Sequence, residues 1–387
     1  MFGKDIDKFM IIKEKFKEKN LYLLDAYTQF HCRRQVKDFY EQSNQLFEID
    51  SIADVEELTQ TIKKLDRSTF IEIPGQIAPE GAYYGHIQQL YQYANIPLRR
   101  YIYTPWVDHG VAFGGENIEV NSRRFNYCYI APGPYRKKSI HCGNPYIPAY
   151  CIGPYIYYAK PYYDDDKMRE VKTKLGRTIL VILTHTIETE CVSVNWNVVQ
   201  IIKNLKKKAY DTIMVCIYWN DLDKPYVSEL KDLGVKIVSA GVRWDSNFIC
   251  RLRSIFELAD DVITDGLGTH IGYAVALKKN ISFFENADIQ YETKKLAEIH
   301  REFVEAFNSD NTSMQMELYN YYWGGDLIRT PDEIRAILMN CRNVLKMAKY
   351  NADNYENALC KYIKNLKKSA GNEEKLCYHL LMEALRD

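Results

Sequence analysis

The chain has 387 residues, 47% of them hydrophobic and 26% charged, which is enough apolar material for more than one core and excludes a disordered or fibrous protein. Its 51 Lys and Arg balance 51 Asp and Glu, so the basic surface by which nucleic-acid binders displace counterions is missing and no nucleic-acid partner is expected. The longest apolar run, around Ile179–Leu183, is far short of the roughly 20 residues that span a bilayer, and the first residues lack the apolar core of a signal peptide; a cytoplasmic protein is expected.

Helical periodicity in Ile6–Glu18, Arg33–Phe47 and Val55–Leu65 precedes strand-like runs at Phe70–Ile73, Leu98–Tyr103 and Tyr127–Ile130, the pattern of a smaller α/β unit. The block from Thr104 to Glu116 follows the second of these runs and holds His109 on a glycine-flanked loop. A histidine at a strand end can act as general base on a hydroxyl. Asp108 and Glu116 are the carboxylates that would orient it or take its place. A buried histidine satisfied within a turn is the alternative.

Six of the twelve prolines lie between Pro132 and Pro161, and ten tyrosines between Tyr127 and Tyr163. That proline density speaks against regular helix or central strand. The segment reads as an irregular connection or loop layer packed by its own tyrosines, with a sugar-stacking surface as the other reading. Cys128, His141, Cys142 and Cys151 have poor spacing for zinc, and none of the ten cysteines forms a C-x-x-C, so no metal is expected. Asp164-Asp165-Asp166 reads as a solvated turn.

From Arg177 to Glu285, strands and helices alternate. Strands are predicted over Thr178–Leu183, Asp211–Tyr218, Val235–Ser239, Val262–Thr264 and Ile281–Phe284. Helices are predicted between them, over Asn195–Lys207, Pro225–Leu233, Ser246–Ala259 and Thr269–Leu277. Such alternation makes a parallel sheet covered on both faces. In such a sheet ligands bind beyond the carboxyl ends of the strands. Those ends carry His185 and Thr186, then Trp219-Asn220-Asp221, then Arg243 and Asp245, then Gly266, Gly268, Thr269 and His270. Glycines that turn the chain tightly, a helix start, a hydroxyl and basic side chains suit a phosphate-bearing ligand. An ordinary strand–turn–helix corner with Thr269 as N-cap is the alternative. Gly266-x-Gly268-x-x-x-Gly272 departs from the dinucleotide fingerprint, and there is no P-loop motif. Beyond Glu285 the chain is mostly helical, with a capping box at Thr330-Pro331-Asp332-Glu333.

Ile179–Thr186, Val215–Trp219, Ala240–Phe248 and Asp265–Tyr273, with the His109-Gly110 block and Gly153–Ala159, resemble predicted bacterial surface-polysaccharide glycosyltransferases. The likeness covers about residues 98 to 330. More distantly, the layout is similar to CDP-glycerol glycerophosphotransferases and UDP-sugar 2-epimerases. The resemblance implies an α/β, GT-B-like fold, with two Rossmann-like domains facing a central cleft and C-terminal helices that return to the first domain. The expected division is an acceptor-side domain over 1–165, a nucleotide-donor domain over 166–330 and a helical segment over 331–387.

By that resemblance His109 faces the reaction centre, while Arg243, Gly268, Thr269 and His270 hold donor phosphates. The E-x-x-x-x-x-x-E motif of many retaining transferases and a D-x-D metal motif in the expected place are absent. The expectation is therefore a metal-independent glycosyltransferase without a cofactor, taking a nucleotide-sugar donor and a glycan or lipid-linked glycan acceptor, the latter at the inner face of the membrane if lipid-linked. A sugar-nucleotide epimerase or hydrolase, and a non-catalytic glycan-binding protein, are the rival readings. Oligomeric state, donor base and stereochemistry stay open.

Overall fold

In the computed structural model, the described residues are 45–46, 48–65, 84–97, 105–114, 128–143, 145–183, 198–243, 245–284, 291, 293–309, 311–350 and 354–386. They carry thirteen α-helices and eight strands in two parallel sheets. The expected helix at 6–18, all but residues 45–46 of the expected helix at 33–47, and the expected strands at 70–73 and 98–103 lie outside the described residues.

The first helix, α1 (Val55–Lys64), begins where the Asp54 carboxylate accepts the Glu57 N–H at 2.8 Å. It is followed by α2 (His86–Tyr93). A small parallel sheet then forms from β1 (Trp106–Val107), β2 (Tyr129–Ala131) and β3 (Ala149–Cys151), in that order, with α3 (Pro134–Gly143) between the last two. The proline-rich stretch is thus more regular than the sequence suggests. Pro134 occupies the first position of α3, where its missing N–H costs nothing, and Pro148 precedes β3 and uses only its carbonyl, which accepts Tyr129 N at 2.9 Å. Tyr150, Tyr155 and Tyr158 are buried, so most of this segment packs on its own aromatics; Tyr146 and Tyr157 are exposed. The three aspartates do not form a turn. Asp164 caps α4 (Asp165–Leu175), accepting Lys167 N at 2.8 Å, and the other two lie in its first turn, where negative charge is favoured.

The second sheet holds β4 (Thr178–Ile182), β5 (Thr212–Cys216), β6 (Lys236–Val238), β7 (Asp261–Thr264) and β8 (Asn280–Phe283). Their spatial order is β6-β5-β4-β7-β8, all parallel, so the chain starts in the middle and winds outward both ways. The connecting helices are α5 (Val198–Leu205), α6 (Pro225–Asp232), α7 (Phe248–Leu258) and α8 (His270–Ala276).

Side chains alternate across each strand. Ile179 and Val181 face α1 and α5, in a core with Leu58, Ile62 and Ile202. Leu180 and Ile182 join a second core that runs on through Ile255 and Ile271 to Ile130 and Tyr150 of the first sheet. One apolar cluster therefore connects the two sheets.

Five helices complete the chain: α9 (Lys294–Phe307), α10 (Thr312–Trp323), α11 (Pro331–Tyr350), α12 (Tyr355–Lys368) and α13 (Asn372–Ala384). The capping box forms as expected, Thr330 N donating to Glu333 Oε2 at 2.8 Å and Glu333 N to Thr330 Oγ1 at 3.3 Å. Helix α13 returns to β3, and Lys137 Nζ of α3 donates to Glu383 O at 2.8 Å. No helix among the described residues is long and apolar enough to cross a membrane.

Candidate functional site

Strand β1 ends at Val107, and the next four residues leave the first sheet towards the second. Asp108 is anchored first. Its N–H donates to Ile130 O at 2.9 Å, and its buried carboxylate takes Arg136 Nε at 2.6 Å and Nη2 at 3.2 Å. Burial works against the guanidinium charge, and Asp108 more than offsets it, so Arg136 stays charged beyond its ordinary range. This corrects the expectation that Asp108 orients or replaces His109: its oxygens are committed to Arg136, a pairing that fixes the start of the loop. His109 itself is exposed. Glu116 lies outside the described residues.

Gly110 then comes so close to Thr269 that a Cβ would sit 2.2 Å from Thr269 Oγ1. Val111 N donates to the same hydroxyl oxygen at 3.1 Å. The loop after β1 therefore rests on the turn after β7, and the block carrying His109 meets Gly268-Thr269-His270 across the two sheets.

On the other side of this contact, Thr269 is held by α10, since Trp323 Nε1 donates to Thr269 O at 3.1 Å. Gly272 lets that indole lie against α8, as a Cβ would fall 2.2 Å from the ring. Thr269 adopts helical backbone angles and makes no side-chain cap, so its hydroxyl serves Val111 instead of its own helix. Two expectations are sharpened here. The helix starts at His270 and has seven residues, fewer than expected. Gly268 is required less for a phosphate turn than for His270, whose ring folds back so that a Cβ on Gly268 would lie 2.4 Å from Nδ1. His270 Nε2 meets Thr264 Oγ1 at 2.8 Å, and that hydroxyl reaches Gly266 O at 3.3 Å, so Nε2 is the donor of the pair. The β7 end, the buried Gly266 and the α8 start form one bonded corner.

The β6 end contributes Arg243, half-buried, whose carbonyl accepts Tyr84 N at 2.5 Å. Asp245, expected among the ligand-binding residues, is instead buried in an ion pair with Arg251 of α7. Its Oδ1 also accepts Asn247 N at 2.7 Å, and Arg251 Nη2 donates to Ile49 O at 3.0 Å. Burial raises the Asp245 carboxyl above its ordinary range, with Arg251 pulling it back. The pair ties the β6 turn to the segment before α1 and holds Asp245 fully buried. His185 and Thr186 lie outside the described residues.

Two residues that the sequence did not single out complete the site. Tyr84, at φ 59°, has its ring 6.3 Å from His109, 5.7 Å from His86 and 4.8 Å from Phe248 of α7. His86 opens α2, is 2% exposed, and lies 4.4 Å from the Tyr155 ring. Burial, and after it the neighbouring His109, pushes its imidazole down to about 3, so it is uncharged at neutral pH. His86 reads in isolation as an ordinary core histidine, and the one local signal is its place after Gly85, the mirror of His109-Gly110. Among the described residues no three His, Cys, Asp or Glu side chains gather as metal ligands.

No family model matches the chain, and no curated protein does. Among solved structures, the wall teichoic acid polymerase TagF aligns with 62% of this chain at 14% identity and a TM-score of 0.38. That alignment takes in 64% of the TagF chain, less than two thirds of its length. A histidine-to-alanine variant of the same polymerase aligns at 13% identity and a TM-score of 0.38, covering 65% of this chain and 70% of that one. At such scores the likeness carries no weight for the site or its reaction.

Proposed function

We propose that the chain is a transferase of the glycosyltransferase type, moving a sugar or related phosphorylated unit from a nucleotide-activated donor to a hydroxyl of a surface-glycan acceptor. The observation that carries this reading is the seating of Gly110 and Val111 on Thr269, which puts an exposed histidine from one parallel sheet beside the basic strand ends of the other. His109 takes the proton of the acceptor hydroxyl as that oxygen attacks the donor. The departing nucleotide keeps the bonding electrons and gains negative charge, which Arg243, the Thr269 hydroxyl and His270 offset without a metal. The seven-residue α8 adds little dipole, so these side chains carry most of the stabilisation.

Product analysis tests the reading. UDP-, GDP- and CDP-linked sugars are incubated alone and with a hydroxyl-bearing glycan acceptor. Product that forms only with acceptor present supports transfer. Epimerised or hydrolysed donor without acceptor, or no reaction with any donor, contradicts it.

A further inference from the structure

We propose that His86 is a ligand-contacting residue of this site, its Nδ1 left by the fold for an oxygen of the bound substrate; the assignment rests on the transfer reading above and deepens it. His86 Nδ1 is buried and has no hydrogen-bond partner among the described residues. Buried polar atoms in folded proteins are paired in the great majority, and leaving one unpaired costs free energy, so a bound group that pairs with it relieves that cost.

The placement is also expensive to maintain. Tyr84 and Gly85 stand one after the other at φ 59° and 74°, and a Cβ on Gly85 would fall 2.1 Å from Ser246 O. Consecutive left-handed residues jammed against another backbone survive only where the surroundings dictate them. Here the surroundings are Arg243 O, which holds Tyr84 N, and Phe248, which holds the Tyr84 ring. The turn therefore delivers His86 to the side of the molecule where His109 stands, with the Tyr84 ring 5.7 Å from one imidazole and 6.3 Å from the other.

A ring needed only for packing against Tyr155 and Tyr84 would be as well served by phenylalanine. Because His86 is uncharged, it adds no positive charge for a phosphate. It offers one neutral hydrogen bond, to an acceptor hydroxyl or to a donor phosphate oxygen.

Three variants of the full chain separate these roles. Asparagine puts a polar atom where Nδ1 stands, glutamine reaches the place of Nε2, and phenylalanine keeps the ring without nitrogen. Melting temperature is measured without ligand and with CDP, UDP and GDP, and turnover with the nucleotide sugars above. His86→Phe is expected to melt at or above wild type without ligand and to lose at least tenfold in kcat/KM. His86→Asn is expected to recover most of that loss and His86→Gln little of it.

A rise in KM for the nucleotide sugar places the contact on the donor phosphate, and a rise in KM for the acceptor places it on the hydroxyl. Wild-type turnover in His86→Phe overturns the assignment, as does an Asn variant no better than Gln. If no nucleotide stabilises wild type and no transfer occurs, the transfer reading fails by itself. His86 is then decided by melting alone: a Phe variant below wild type overturns its ligand role, and one at or above wild type supports it.

Discussion

Gly110 and Thr269 touch so closely that a single methyl group on the glycine would lie 2.2 Å from the threonine hydroxyl oxygen. This contact joins the strand end that carries His109 to the strand end that carries His270. Gly110→Ala is therefore expected to destabilise the protein by about 1–3 kcal/mol, the usual range for overpacking. Thr269→Ala alone leaves the Val111 N–H without its acceptor and costs about 1 kcal/mol. The double variant is expected to lose less than the sum, because the second substitution removes the atom with which the first collides. Denaturant unfolding of the four proteins measures this coupling, and strict additivity would contradict the contact.

Among the described imidazoles of the site, His109 alone is exposed. His109→Gln is expected to lower kcat by roughly 10²–10⁴, the scale of general-base catalysis, while nucleotide-induced stabilisation is retained. Steady-state kinetics with melting curves separates the two effects. Unchanged kcat would remove His109 from the reaction.

Asp108 and Asp245 are each buried against an arginine, Arg136 and Arg251. Replacing either carboxylate by alanine strands a buried charge and is expected to cost about 3–5 kcal/mol. Replacing both members of a pair by apolar residues is expected to recover most of that loss. Urea midpoints at neutral pH test both statements. A mild effect of Asp245→Ala on stability, joined to loss of nucleotide binding, would return Asp245 to the ligand site.

His86 gives the fold a dependence on pH with a definite sign. Its imidazole titrates near 6.5 when unfolded and is pushed down to about 3 when folded, by burial first and His109 second. Between those values the unfolded chain binds a proton that the folded chain refuses. The stability it contributes is complete above 6.5 and is lost as pH falls towards 3, at up to about 1.4 kcal/mol per pH unit. Burial lowers His300 too, with the same sign. Wild type is expected to lose about 2 kcal/mol through His86 between pH 7 and 5. His86→Phe is expected to flatten that fall, and an equal fall in both proteins would contradict the burial of a neutral histidine.

The second sheet was readable from the sequence because buried parallel strands appear as short β-branched runs, and each of the five is bounded by a turn and an amphipathic helix. Its nine elements fall where the pattern puts them: most are shorter by a residue or a few at their ends, while Asp261–Thr264 is one residue longer than expected and Asn280–Phe283 is displaced by one. The first sheet was harder to read: β1 is two residues long, Trp106–Val107, below the length at which alternation can be recognised. The site divides the same way. His109, Gly110 and Thr269 could be chosen as strand-end residues, and Gly110 does meet Thr269. Asp108 looks catalytic and Asp245 ligand-binding in a linear reading, because their arginine partners stand 28 and 6 residues away and come into contact only on folding. His86 was missed since Tyr84, which links it to His109, is set by a backbone bond to Arg243 from a distant part of the chain.

The central claim is that Arg243 after β6 and the Thr269–His270 turn after β7 together bind the phosphates of a nucleotide. Its most direct test is the melting temperature of wild type, Arg243→Ala and His270→Ala with and without CDP, UDP and GDP, since a ligand at 100 times its Kd stabilises the folded state by about 2.7 kcal/mol. At least one nucleotide is expected to raise the wild-type Tm, with the rise lost in both variants. No rise in wild type, or an undiminished rise in both variants, would contradict the claim.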